Sequence, residues 1–337
     1  MSEGEHVSDT VRVGIVGLGW WGDRLARAIG DSKGCHLVSC FARTPRSRAD
    51  FAERHGCAAA DSFDALLADD EVDAIFLATP HSTHREQIER AAEHGKHVFV
   101  EKPLTLTVAE GRRALAAADS AGVVLQVGHN RRYQAPNRRI KAMIDAGELG
   151  LVHLVQGSIF VPKDQTPRKG WRSDPDESPV GGMTGLGVHM IDTFRYFAGP
   201  IDRVFVMSKQ LWAAGRLDDI TVIAMEFARG PLGQLATSIV LPKTATTTVM
   251  GTSASVWNDE DGQHLYVQGR DEPARREVAV EQVDTIVEEI ESFARCVTDG
   301  ERPETGGPEG LEVVAVLAAI VASAASGQPV NVRDFRG

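Results

Sequence analysis

The sequence is poor in several things, and each shortage narrows what the protein can be. Four cysteines, Cys35, Cys40, Cys57 and Cys296, are scattered through 337 residues, and none has the close paired spacing of zinc or dithiol redox motifs. That excludes a small disulfide-stapled scaffold and predicts reduced thiols in a cytoplasmic protein. Basic charge is also short: 36 Lys and Arg against 47 Asp and Glu give a formal net charge of -11. A general nucleic-acid or anionic-membrane binder needs a basic face, so neither is expected as a partner. The most apolar stretch, Val313 to Ser326, falls short of the roughly 20 residues of a membrane helix and reads as a buried core helix. No internal repeat or low-complexity tract occurs. Met1 to Thr10 is polar and acidic, without the apolar centre of a signal peptide, and is expected to be a disordered tail.

What is present is an ordinary globular composition in a chain long enough for two cores, since single cores stop growing at roughly 250 to 300 residues. The β-branched run Val11 to Val16 leads into Gly17-Leu18-Gly19-Trp20-Trp21-Gly22 and then a helical pattern from Asp23. A G-x-G-x-x-G between strand and helix is the context for dinucleotide binding. Gly17 allows the tight turn, Gly19 lets backbone approach a pyrophosphate, and Gly22 allows close helix–strand packing. The phosphates would rest on the helix N-terminus.

At the end of the second strand, His36 to Phe41, stands Ala42-Arg43-Thr44-Pro45-Arg46, with no carboxylate for an adenosine ribose. Removing that acid removes repulsion against a 2′-phosphate, and Arg43 with Arg46 can pair with it. NADP is therefore favoured, with NAD possible. The competing interpretation makes Arg43, Arg46 and Arg48 the solvated start of a helix.

A third strand, Asp73 to Ala78, ends in Thr79-Pro80-His81-Ser82-Thr83-His84. His81 and His84 have no nearby thiolate or carboxylate to complete a ligand set, so no metal is expected. They are read as loop histidines that hydrogen-bond backbone or cofactor. The run His97-Val98-Phe99-Val100-Glu101-Lys102-Pro103 is a buried parallel strand that delivers charge where it stops. In an open α/β sheet, that edge is where ligands bind. Thr107-Val108-Ala109-Glu110 has capping-box spacing, and Val123 to Val127 is a further strand before Gly128-His129-Asn130-Arg131-Arg132. Repeated alternation of strand and helix predicts a doubly wound parallel sheet.

These residues resemble the Gfo/Idh/MocA family, the glucose–fructose oxidoreductase and inositol dehydrogenase type of NAD(P)-dependent oxidoreductase. The resemblance rests on the glycine motif, Ala78-Thr79-Pro80 with His84, Gly95 through Pro103, Gly128 through Arg132, Trp171-Arg172, and Gly181-Gly182 followed by Gly187-Val188-His189. It implies an N-terminal Rossmann domain, set at 11–130, and a C-terminal α/β domain at 131–337 with a large, open, mostly antiparallel sheet. That sheet would form a homodimer or homotetramer. The lysine matching Lys102 would contact substrate and cofactor and assist proton transfer, and His189 would act on the substrate hydroxyl. Cofactor-facing candidates are the six residues Gly17 to Gly22, Ala42, Arg43, Thr44, Arg46, Thr79, Pro80, His84, Glu101, Lys102 and Asn130. Substrate-facing candidates are Lys102, Arg131, Trp171, Arg172, Asp192 and His189.

One departure stands out. Gly185 occupies the position, one helical turn before His189, where the resemblance puts a catalytic acid. His189 then works with Lys102 alone, Asp192 or Thr184 supplies the missing hydrogen bond, or the protein binds cofactor as a sensor or regulator without turnover. A small-molecule CH–OH or C=O substrate is expected: a sugar, inositol or related polyol, or alternatively a cyclic dihydrodiol. Val161 to Pro179, rich in proline and charge, is expected to be a long functional loop. The glycines before His189 are expected to admit a ligand.

Overall fold

Strand β1 (Val11–Val16), helix α1 (Trp20–Asp31), β2 (Cys35–Phe41), α2 (Pro45–His55), β3 (Ala58–Ala59), α3 (Phe63–Leu67) and β4 (Ala74–Leu77) open the chain. They are followed by α4 (His84–Glu93), β5 (His97–Glu101), α5 (Val108–Ala121) and β6 (Leu125–Gly128). The computed structural model describes residues 10–162, 170–212 and 216–336, so the expected tail lies outside it except for Thr10. The six strands are parallel in the order β3-β2-β1-β4-β5-β6, the doubly wound arrangement with a topological switch between β1 and β4. Every residue of β4 and the centre of β5 are buried, as a sheet covered on both faces requires. Register aligns Val16 with Leu77, Leu77 with Val100 and Val100 with Val127. Gly17, Ala78, Glu101 and Gly128 therefore follow together at the carboxyl edge.

Local signals set the element ends. Thr107 Oγ1 accepts from the Glu110 backbone N–H at 3.2 Å and donates to the Glu110 carboxylate at 3.0 Å, as a capping residue does. Left-handed Gly56 and Gly122 end α2 and α5.

The remaining elements are α6 (Ala135–Asp145), β7 (Val152–Phe160), α7 (Val188–Ala198), β8 (Ile201–Lys209), β9 (Ile220–Phe227), β10 (Leu232–Ser238) and β11 (Thr244–Gly251). After them come β12 (Ala254–Asp259), β13 (His264–Gly269), β14 (Arg276–Val278), α8 (Thr285–Thr298), α9 (Gly307–Ser326), β15 (Val330–Asn331) and α10 (Arg333–Arg336). Nine strands form the second sheet in the order β14-β13-β12-β11-β7-β10-β9-β8-β15. All its pairs are antiparallel except β7 with β10. Burial alternates along β8 and β9, so this sheet has one packed and one open face.

The chain divides into two compact units, and the division differs from the one at 130/131 in one respect: Asp284–Leu311 clusters with the residues up to Asn130. The cause is the apolar stripe of α8. Ile286, Ile290, Phe293 and Ala294 join the core around β1, β2 and α1. Phe293 meets Phe76 edge-to-face at 5.2 Å, while Phe76 stacks on Phe99 at 4.7 Å. The Glu289 backbone carbonyl also accepts from the Gln126 side-chain Nε2 at 3.0 Å. Helix α9 is 20 residues long, longer than its apolar stretch suggested, and by length and hydropathy it could cross a membrane. Val313 to Leu317, Ala319 and Ile320 are nevertheless buried inside the protein, the pattern of a core helix.

Candidate functional site

The glycine turn has the geometry its spacing predicted. Gly17 takes φ +94°, and a Cβ there would lie 2.4 Å from the Ala78 carbonyl oxygen. A Cβ on Gly22 would lie 2.1 Å from the Gly17 carbonyl oxygen, so only glycine lets α1 start this close to β1. Around Gly19 the same test finds open space. Gly19 is also the N-cap of the 12-residue α1, and no side chain caps that end. The first-turn N–H groups of α1 are thus left without a side-chain cap. Leu18 packs on the core beside the turn.

The backbone N–H of Gly17 donates to Phe41 at 3.2 Å, which brings the end of β2 beside the turn. Arg43 there is exposed and makes no ion pair among the described residues. Arg46 reaches Asp50 at 3.7 Å with both side chains largely exposed. Arg48 is the structural member of the three: it donates to the Ala42 carbonyl at 3.1 Å and lies over the Phe41 ring. It holds the Ala42-Arg43-Thr44 turn in shape, with Thr44 as N-cap of α2.

Lys102 is buried immediately beyond β5, and its Nζ lies 5.7 Å from the centroid of the Trp21 ring. Trp21 packs on the core and is met edge-to-face by the exposed Trp20 at 5.0 Å. Arg24 lies over both rings. Glu101 is buried at the strand end, and its carboxylate is the group a Cβ on Gly128 would meet, at 3.3 Å. His84 is fully buried, with Nδ1 3.0 Å from the Pro103 carbonyl and Nε2 3.2 Å from the Thr79 carbonyl. It therefore braces the loop after β4 against the loop after Lys102. Thr79 is fixed by donating to Gln87 at 2.6 Å, and Thr83 donates to the Pro80 carbonyl at 2.7 Å. Asn130 donates to Thr285 at 2.8 Å, a partner sequence reading did not foresee. Below the site, burial holds the His97 imidazole under its ordinary value, with Asp73 opposing.

In the second unit, His189 is buried in the first turn of α7, after a π-helical turn, Met183–Gly187, that contains Gly185. Two of the nearby glycines are packed closely against the protein itself. A Cβ on Gly181 would lie 2.0 Å from the Asp218 carbonyl, and one on Gly187 2.2 Å from Met183. Asp192 is fully buried, and both its oxygens accept from Arg132, Oδ2 from Nε and Oδ1 from Nη2, each at 2.7 Å. Its carboxylate thus anchors Arg132. Thr184 donates to the Pro179 carbonyl at 2.7 Å. Arg131 pairs with Asp261 at 2.6 Å. Trp171 and Arg172 form a short turn in which the guanidinium lies 4.1 Å from the indole centroid; residues 163–169 of this expected loop lie outside the described ones. Sequence reading quoted Arg132 only within the Gly128–Arg132 motif and missed its pairing; the available signal was Asp192, an acid among the apolar Met190, Ile191 and Phe194.

A glycine-rich phosphate turn at the switch point of a parallel sheet, with a lysine at its carboxyl edge, defines a nucleotide-binding enzyme of the Rossmann class. Residues 11–129 match the oxidoreductase family with an NAD-binding Rossmann fold, and residues 137–257 match the GFO/IDH/MocA C-terminal domain. An uncharacterized oxidoreductase of Bacillus subtilis (strain 168) is 30% identical over 291 residues, 79% of this chain and 80% of that protein. Inositol 2-dehydrogenase of Rhizobium meliloti (strain 1021) is 26% identical over 96% of this chain and 99% of its own. The crystal structure of aldose–aldose oxidoreductase from Caulobacter crescentus is similar with a TM-score of 0.87 and 26% identity, covering 96% of this chain and 99% of that one. The chain belongs to the Gfo/Idh/MocA family of oxidoreductases.

Proposed function

We propose that this oxidoreductase prefers NADP and acts on a CH–OH or C=O group of a sugar, inositol or related polyol. The observation that carries the reading is the uncapped start of α1 over open space at Gly19, beside the exposed Arg43. Bound there, the nicotinamide cofactor would supply or accept the hydride. The chain's own part is to hold phosphates on the N–H groups of α1, pair Arg43 and Arg46 with a 2′-phosphate, and move the hydroxyl proton. Lys102 is our assignment for that proton: it is buried immediately beyond β5, at the carboxyl edge of the sheet where a ligand would bind. His189 is our second assignment, acting on the substrate hydroxyl. Thr79, Pro80, Glu101 and Asn130 frame the cofactor side, and Arg131, Trp171 and Arg172 the substrate side. The polyol class is supported by the names of the relatives, an inositol dehydrogenase and an aldose oxidoreductase.

The same reading extends to assembly and compartment. The open face of the second sheet exposes Phe205, Met207 and Leu232, which supports a homodimer or homotetramer through that sheet. Burial, with Glu291 adding, pushes the Cys35 thiol up to about 12, and all four cysteines are free, in keeping with reduced thiols in a cytoplasmic protein. A second reading, cofactor binding without turnover, draws on one observation, Gly185 in place of an acid. Activity with NADP and NAD over sugars, inositols and cyclic diols separates the two. Arg43→Ala should weaken NADPH binding about tenfold and NADH binding little, in line with the loss of one charge-assisted contact; equal effects would refute the cofactor preference.

A further inference from the structure

The motif residue with the least obvious purpose is Trp21. A G-x-G-x-x-G turn needs its glycines for backbone reasons, but nothing in phosphate binding asks for an indole between them. Here the indole is tightly held. Gly22 fixes the adjoining backbone against Gly17, Trp20 meets the ring edge-to-face at 5.0 Å with planes at 79°, and Arg24 lies 5.6 Å from its centroid. The core packs on it from below. Onto this fixed ring comes Lys102 Nζ at 5.7 Å, within the range where the ring quadrupole attracts an ammonium. Lys102 is almost fully buried, so the attraction is little screened.

We propose that Trp21 is a positioning residue for Lys102, its indole seating the amine beside the glycine-rich turn so that one residue joins the phosphate-binding loop to the proton-transfer group. Its backbone N–H belongs to the helix end that would receive the phosphates, while its side chain holds the lysine that follows β5, two strands along the sheet from β1. The proposal rests on the assignment of Lys102 as the proton-transfer group. The ionisable groups on the surrounding elements are Arg24, which also lies over the Trp21 ring, Glu101, the residue before the lysine, and His84, bound to the Pro103 carbonyl. All three stay in place when Trp21 alone is changed, so the indole's share is read from that variant.

The test labels Lys102 with acetic anhydride across a pH series in the full-length protein with NADP present, and reads the peptide by mass spectrometry. Trp21→Leu removes the quadrupole while keeping an apolar side chain, and should move the labelling midpoint to lower pH and speed the reaction. Trp21→Phe should fall between Trp21→Leu and wild type. Turnover in Trp21→Leu should drop about tenfold while the NADPH dissociation constant changes less than about threefold, the size expected of one desolvated cation–π contact. A Trp21→Leu profile identical to wild type in midpoint and rate would overturn the proposal. Should Trp21→Leu fail to bind NADPH, Trp21→Phe decides: its midpoint must still shift in the same direction, and an unchanged one overturns the proposal. Lys102→Ala keeps the two ideas apart. Retained turnover there removes the assignment of Lys102, whereas lost turnover with unshifted labelling removes only the role of Trp21.

Discussion

The two units hold their candidate site residues by different means. In the first, Gly17, Lys102 and Glu101 stand at strand ends of a sheet buried on both faces, and their places follow from backbone contacts: Gly17 against Ala78, Gly22 against Gly17, His84 against two carbonyls. In the second, His189 rides on a helix whose fixed point is a buried ion pair, Asp192 with Arg132. A site held by backbone sterics fails when an atom is added. One held by a buried pair fails when a charge is removed.

The largest stability effect should come from the second kind. Asp192→Ala leaves the Arg132 guanidinium buried without its carboxylate, which costs about 3–5 kcal/mol. Urea unfolding should show that loss in the transition of the second unit, and a change under about 1 kcal/mol would mean that the pair anchors nothing. Gly22→Ala tests the first kind. Its Cβ must displace the Gly17 carbonyl oxygen, costing about 1–3 kcal/mol as overpacking does. NADPH binding should fall with it, while unfolding of the second unit stays unchanged.

The smallest effects are in pH dependence, and the units should differ in sign. Burial holds His97 below its ordinary value, so the unfolded chain takes up the proton first. Its contribution is present above about pH 6.5 and is lost as pH falls from there through the lowered value. His264, in the second unit, is raised by its hydrogen bond to Glu277, with burial opposing and the charges of Glu277, Glu260 and Asp259 adding. Its contribution is present below about pH 6.5 and is lost as pH rises through the raised value. Melting temperatures of His97→Gln and His264→Gln across pH 5 to 8 should flatten opposite limbs of the profile; flattening of the same limb by both would contradict the comparison.

The same contrast explains how much could be read beforehand. Parallel strands buried on both faces are near-continuous apolar runs, so β1, β4 and β5 are visible as sequence, and the strand–glycine–helix spacing places the phosphate turn. Helix α8 is visible as a helix from the period of Ile286, Ile290 and Phe293, but the period says only that a face is buried, not against which core, and the first unit claims it. In the second unit the packing of Gly181 against Asp218 and of Gly187 against Met183 is not legible, because a glycine that avoids a carbonyl and one that avoids a side chain are the same letter. Asp192 could not be separated from a helper of His189, since its partner Arg132 lies 60 positions away. The neighbourhood of Trp21 and Lys102, 5.7 Å apart in space, is likewise a product of sheet order and not of spacing.

The central claim is that the first unit binds the cofactor and that Lys102 moves the proton. Its most direct test is steady-state turnover of Lys102→Ala on the best substrate from the screen, with NADPH affinity measured on the same preparation. The account predicts a loss of about a thousandfold in turnover, the scale of a general acid–base group, with NADPH affinity within about threefold of wild type, because α1 and Arg43 are the groups proposed to hold the phosphates. Turnover at the wild-type rate would contradict it.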